Sequence, residues 1–446
     1  MIELQRQDAL LEKLESLRAV INRTQQDFGK ALSKVLSPAQ PLQSEEFLKG
    51  RADQLHGIEK ALYAPGRHVL IHGMRGVGKS SLAQTAAFKI AKGYDPIIVR
   101  CDPQSTFKSI IKDICDEALG KDPRIAEEIK TSEAGAGLSW SILNLMGKVS
   151  LGKTEREIDE PLSVNDAVRA IQFLCQKIGG KPVFVVDEFD LIPSVEVQRD
   201  FANLVKQVSD KHVGACFIFC GIADSAEALM AAHASADRYF HAVDLGKLPW
   251  DARIQIVETA AETLGIQIDK TTVYRIAMIC DGFPYYVHFI SEKLFWRVFE
   301  ADNGGEVTPE LFALAMEDAA SAMDMKLRGP YEKATQKYDD TYSAILFAVA
   351  DGHELKKRSA DIYTVYLRIM KDLDEKPFTR EKYNNRMNRL KSEAHGCILT
   401  ANRQGWYEFT EKMIRGFVRL KAEQLKVRLS PDHPDAPTLL QHRSDA

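Results

Sequence analysis

The run Gly73-Met74-Arg75-Gly76-Val77-Gly78-Lys79-Ser80 puts glycine, lysine and serine at the spacing of a phosphate-binding loop. Glycines at these positions let the backbone curl until successive N–H groups face one concavity, and a helix opening there adds its positive end. Lys79 would reach the outer phosphates of a nucleotide, and the Ser80 hydroxyl would bind Mg²⁺. With its neighbours, the loop offers Gly73, Arg75, Gly76, Val77, Gly78, Lys79, Ser80 and Ser81 as candidate nucleotide contacts.

A second run, Val183-Phe184-Val185-Val186-Asp187-Glu188, ends an apolar stretch in two carboxylates. Apolar residues without alternation belong to a strand buried on both faces, as in a parallel sheet, and acids at its end fall at the ligand edge. There Asp187 would hold Mg²⁺ through water, and Glu188 would be the base that polarises an attacking water. After the apolar run Cys216 to Cys220, Asp224 and Ser225 are placed to read a γ-phosphate. Arg238 precedes another strand pattern, Tyr239 to Leu245. It reads either as a group that stabilises charge on a neighbouring subunit's nucleotide or as half of a structural ion pair. Arg51, at a helix entry, is open between a nucleotide neighbour and a surface salt bridge. The cysteines stand singly and the histidines form no ligand pair, so no disulfide or metal cluster is expected.

The elements that must position these groups are legible as alternating patterns. His68 to Ile71 and Ile97 to Arg100 read as strands. Ala52 to Leu62, Ser81 to about Lys92, Phe107 to Leu119, Val164 to Ile178 and Val197 to Lys211 read as helices. This alternation predicts an α/β fold with a parallel sheet. Residues 131–160 break the rhythm and read as an insertion. From Trp250 to Asp324 the pattern is helical, interrupted at Gly282-Phe283-Pro284, which suits a small lid. Upstream, Leu10 to Ile21 recur at three-to-four spacing, so residues 1 to about 36 read as an amphipathic helix, either packed on the body or serving as a partner-docking arm.

A chain of 446 residues exceeds one core and predicts several domains. The boundaries expected are 1–44 for the helix and linker, 45–248 for the nucleotide domain, 249–330 for the lid, 338–428 for a C-terminal domain, and 429–446 for a disordered tail. The first residues have neither a basic flank nor an apolar core, and no run spans a bilayer, so a cytoplasmic protein without membrane contact is expected. The net charge of −4 is uneven: residues 353–428 hold 18 Lys and Arg against 10 Asp and Glu, a local +8. In that region the pattern is Tyr342 to Ala350, Ser359 to Leu373 and Thr379 to Ala394 as helices, then strands Cys397 to Ala401 and Trp406 to Thr410, then a helix to Leu425. This is the order of a winged helix. Arg380, Lys382, Arg386, Arg389 and Lys391 would stud the third helix for the major groove of double-stranded DNA, with Arg403 in the wing turn for phosphate. A solvated face or a protein dock is the other reading.

With these residues in view, the chain from about 45 to 425 resembles the AAA+ ATPases of the origin-recognition and replication-initiator type, and the related STAND signalling ATPases. The carriers are Phe47-x-x-Gly50-Arg51, the Gly73 to Ser80 loop, the Val183 to Asp190 run, Ser235-x-x-Arg238, Gly282-x-Pro284 and the winged-helix order. The resemblance implies a P-loop NTPase sheet with a helical lid and C-terminal winged helix, ATP and Mg²⁺ as cofactors, and Arg51 and Pro284 near the adenine. Arg238 would act in trans within a homo-oligomer. Two departures, no Asn or Thr closing the Cys220 strand and Tyr285, Tyr286 and His288 where a sensor Arg often stands, imply a slow switch. The expected function is an ATP-driven switch that binds double-stranded DNA. The alternatives are a signalling or anti-phage defence ATPase that docks a protein effector, and a transposition or target-selection regulator.

Overall fold

The computed structural model describes residues 24–91, 94–121, 162–178, 181–221, 236–335, 341–402 and 405–431. By its contacts the chain forms two units. The first spans 41–74 and 78–246, and the second spans 24–40, 75–77 and 247–431. Before the first unit comes helix α1 (Gln25–Val35), of the second unit. The first unit then runs α2 (Ala52–Tyr63), β1 (His68–His72), α3 (Lys79–Ile90), β2 (Ile97–Arg100), α4 (Phe107–Lys121), α5 (Val164–Ile178), β3 (Val183–Asp187), α6 (Val195–Asp210), β4 (Cys216–Gly221), the short α7 (Ala236–Tyr239) and β5 (Phe240–Asp244).

The strands lie in the order β2-β3-β4-β1-β5, and every pair is parallel. Every residue of β3 and β4 is buried, because helices cover both faces. On one face Phe184, Val186, Phe217 and Phe219 join Phe107, Phe201 and the apolar stripes of α4, α5 and α6. On the other, α3 turns small residues such as Ala83 and Ala86 inward, which lets it lie close over β3 and β4. A parallel order with β4 between β1 and β3 brings the ends of all three strands to one edge. The sequence-predicted strands and helices of this unit agree with those found to within a few residues.

The second unit continues with α8 (Trp250–Leu264), α9 (Lys270–Ile279), α10 (Pro284–Ala301), α11 (Pro309–Ser321), α12 (Met325–Thr335), α13 (Thr341–Ala350), β6 (Lys357–Arg358), α14 (Ser359–Asp372), α15 (Arg380–Arg389), β7 (Leu399–Ala401), β8 (Trp406–Phe409) and α16 (Ile414–Gln424). Helix α1 packs here through Phe28, stacked 4.3 Å from Phe299 and edge-on to Trp296 at 5.1 Å. The rest of the expected N-terminal helix lies outside the described residues, as do the 131–160 insertion, Asp224, Ser225, Ser235, Arg403 and the tail from 432.

Three elements of this unit depart from expectation. Helix α12 lies past Asp324, the expected end of the helical pattern; it forms across Gly329-Pro330 because Leu327, Tyr331 and Ala334 bury one face, with Tyr331 edge-on to Phe417 at 5.5 Å. Helix α15 stops at Arg389 rather than running to Ala394. The Ser392 hydroxyl donates to the Arg389 carbonyl at 2.7 Å and a 3₁₀ turn follows, closed by Gly396 in the left-handed region at φ 70°. Strand β6, too short to show a period, adds a third antiparallel strand to the hairpin, in the order β6-β8-β7.

Between helices α8 to α10 and the C-terminal elements the packing is polar as well as apolar. The turn Asp281–Gly282 between α9 and α10 is left-handed at both residues, with φ 52° and 76°. The buried Asp281 carboxylate pairs with Lys247 at 2.9 Å and Arg415 at 3.5 Å. Arg415 and Arg419 of α16 both donate to the Ala350 carbonyl, capping the C-terminal end of α13.

Candidate functional site

The apolar strand β1 ends at His72, and the chain turns at Gly73 into the loop that opens α3. At Gly73 φ is 150°, and a Cβ would run into the Leu245 carbonyl, so only glycine fits. Gly78, with φ 97°, is the left-handed residue on which α3 starts, and its carbonyl accepts the first helical bond from Leu82 N–H at 3.0 Å. Lys79 folds back over the loop and donates to the carbonyls of Gly73 and Met74, each at 3.0 Å.

Two strands away, β3 delivers Asp187, which is 3% exposed. Its Oδ1 accepts hydrogen bonds from the Ser80 hydroxyl at 3.0 Å and from the Glu188 N–H at 2.9 Å. A hydroxyl and a carboxylate converging at one sheet edge form an oxygen donor set suited to a hard cation such as Mg²⁺, and the glycine loop beside them suits its phosphate ligands. The residues therefore fit a magnesium nucleotide. Glu188 is exposed and held at φ 55°, a conformation that costs a non-glycine residue strain and that recurs where side-chain aim matters.

Between the loop and the acids lies the end of β4. Cys220 is fully buried with its Sγ 3.9 Å from the Lys79 carbonyl, and burial, with the Asp187 charge next in importance, holds its thiol well above the ordinary range. Gly221 follows, so the described end of this strand presents neither an amide nor a hydroxyl side chain.

The other candidates fall as follows. Arg51 precedes α2, is 4% exposed, and donates to the Gly246 carbonyl at 2.7 Å, while desolvation lowers its pKa to about 10. It is thus an internal clamp rather than a surface ion pair. The Ser81 hydroxyl accepts from Leu42 N–H at 3.1 Å, so this side chain serves the linker segment. Val77 is buried and Arg75 exposed. Arg238 is exposed on α7, and Pro284 opens α10 in the second unit. A pair that sequence reasoning passed over stands at the same edge: His72 closes β1 and Asp244 closes β5, register partners with Nδ1 and Oδ1 3.7 Å apart. The signal was the one that marked Asp187, a polar residue ending an apolar strand.

On α15 the expected basic face needs a correction. Arg386 is half-buried, its guanidinium 4.3 Å from the Phe378 ring centre and 4.7 Å from that of Tyr342, so it packs inward. Arg380, Lys382, Arg389 and Lys391 are exposed, although Lys391 lies beyond the helix end, and Arg380 covers the Tyr363 ring at 4.3 Å.

The sheet order, the strand–glycine loop–helix and the acid at the end of β3 define a parallel-sheet α/β P-loop NTPase fold. Residues 48–218 match the family model of the AAA ATPase domain. No curated protein matches the chain. Among solved structures it is similar to a Walker-type ATPase of Pyrococcus abyssi, with TM-score 0.50, 16% identity, and 85% of this chain and 99% of that one covered. More distant are the ORC2 protein of Aeropyrum pernix, with TM-score 0.45, 13% identity and 88% and 98% covered, and Cdc6p of Pyrobaculum aerophilum, with TM-score 0.42, 13% identity and 89% and 99% covered. Among the described residues, no helix is long and apolar enough to cross a membrane.

Proposed function

We propose that this chain binds ATP with Mg²⁺ at the edge formed by the Gly73–Ser80 loop and Asp187, hydrolyses it slowly, and acts as a switch that assembles with neighbouring copies on double-stranded DNA. The Ser80–Asp187 hydrogen bond carries the reading: two residues more than a hundred positions apart meet at 3.0 Å, with the oxygen ligands a nucleotide-bound cation needs. The match of residues 48–218 to the AAA ATPase domain supports the same chemistry.

Bound Mg²⁺ would neutralise phosphate charge. The loop's own groups would do the rest. Backbone N–H groups from Gly73 to Ser80 would cradle the phosphates, and Lys79 would exchange the Gly73 and Met74 carbonyls for phosphate oxygens. Glu188, fixed at its strained backbone position, would orient a water and take its proton. The described end of β4, Cys220-Gly221, offers no amide or hydroxyl side chain to position a water, which supports slow turnover. Elements α13 to α16 have the order of a winged helix, and exposed cations on α15 support a grip on duplex DNA.

The test is ATP binding and turnover with Mg²⁺. Lys79→Ala should abolish binding. Glu188→Gln should bind as the native chain does and lose about 10²–10⁴-fold in turnover. Undiminished binding by Lys79→Ala would overturn the proposal. Exposed Leu367 on α14 and Leu373 at its C-cap, 38% and 37% accessible, favour a second reading in which this region docks a protein effector, as in signalling or defence ATPases.

A further inference from the structure

Helix α15 buries Tyr383 and Met387, with Leu390 just beyond its last residue. On the opposite side Glu381, Asn385, Asn388 and Arg389 recur at the spacing that aligns residues on one helical stripe, flanked by Lys382 and Asn384, and all are exposed. Within the described residues the side-chain amides of Asn384, Asn385 and Asn388 have no hydrogen-bond partner.

Three asparagines are out of place on a helix of ten residues. Asparagine is a poor helix former because its amide competes for nearby backbone groups, and its usual place is a cap. Here the N-cap is Thr379, whose hydroxyl accepts from Lys382 N–H at 3.4 Å, and the C-cap is Leu390. The asparagines therefore break a local rule without a structural return, which is the mark of a site selected for something else.

We propose that this stripe reads base edges in the major groove of duplex DNA, with Asn385, Asn388 and Arg389 as the reading groups. The proposal rests on the DNA-binding reading above and deepens it from grip to sequence recognition. Charge sets the occupant, since α15 exposes three cations, Arg380, Lys382 and Arg389, against one acid, Glu381. Chemistry sets the mode. Phosphates need only cations, whereas a side-chain amide presents a donor beside an acceptor, the pattern that pairs with adenine N7 and N6, and a guanidinium pairs with guanine O6 and N7. Arg386, turned onto its aromatic rings, is not a reader.

The experiment uses the full chain with MgATP and a pool of duplexes with a randomised core. Selection and sequencing should enrich a motif with adenine at two positions. For Asn385→Ala with Asn388→Ala, the affinity ratio of selected to scrambled duplex should fall by roughly five- to a hundredfold per lost pair. Alanine is the better helix former, so both substitutions leave α15 intact, as circular dichroism would verify. Lys382→Ala should instead weaken all sequences alike and shallow the salt dependence. Equal affinity for every sequence, or a preference that survives the double substitution, overturns base reading and leaves the DNA grip standing. Absence of binding to any duplex at low salt overturns both.

Discussion

His68 shows how a single side chain can couple this fold to pH. Fully buried at the start of β1, it accepts from the Phe217 N–H at 3.0 Å on Nδ1 and meets the Ser209 hydroxyl at 3.1 Å on Nε2, so it must be the neutral tautomer. Desolvation, with Lys181 adding to it, lowers its pKa to about 3. The unfolded chain takes up a proton on this ring near pH 6.5 and the folded chain does not, so stability falls as pH drops from about 6.5 towards 3. The loss from His68 alone should reach about 4 kcal/mol. Urea unfolding at pH 7 and pH 4 should show it, and His68→Gln should flatten the difference. His288 contributes with the same sign, since burial lowers its pKa to about 4. Glu188 makes the complementary point: its backbone strain is visible only in the fold, while its chemistry is evident in the sequence because it ends an apolar run.

Helices α10 and α16 meet so closely at Gly416 that a Cβ there would strike the Tyr286 ring, whose hydroxyl donates to the Met413 carbonyl at 2.6 Å. Gly416→Ala should therefore destabilise by about 1–3 kcal/mol, despite alanine's better helix propensity, because a fully buried ring must move. A thermal melt that rises on this substitution would refute the packing argument. The same contact explains what was legible beforehand. Strand β3 and the β1–loop–α3 unit are readable because burial on both faces and glycine spacing leave a linear signature. Gly416 has none, since its neighbour Tyr286 is far away in the chain. Helix α12 lies past the expected end of the helical pattern at Asp324 and forms across Gly329-Pro330 through tertiary burial. The true end of α15 depended on one Ser392 hydroxyl. Ser80 and Asp187 could be named singly, but their meeting required the sheet order. The inward turn of Arg386 could not be foreseen, because its aromatic partners come from another helix and a loop.

At the scale of the whole molecule, the proposed assembly is tested at Arg238. It stands exposed on α7, ahead of β5, and has no described acid as an ion-pair partner. If neighbouring copies share sites, a mixture of Arg238→Ala and Glu188→Gln chains should recover ATP turnover that neither shows alone, as measured by phosphate release. Additive, unrecovered rates would mean that each chain works by itself. The capping of α13 by Arg415 and Arg419 bears on the proposed contact with DNA. These two cations, with Lys357 bonded to the Asp351 carbonyl, lie in the interior, and desolvation lowers the Lys357 pKa to about 8. They face carbonyl oxygens and, for Arg415, the Asp281 carboxylate, not water. Fewer cations of this region are therefore free to meet a phosphate directly than a tally of its basic residues would suggest.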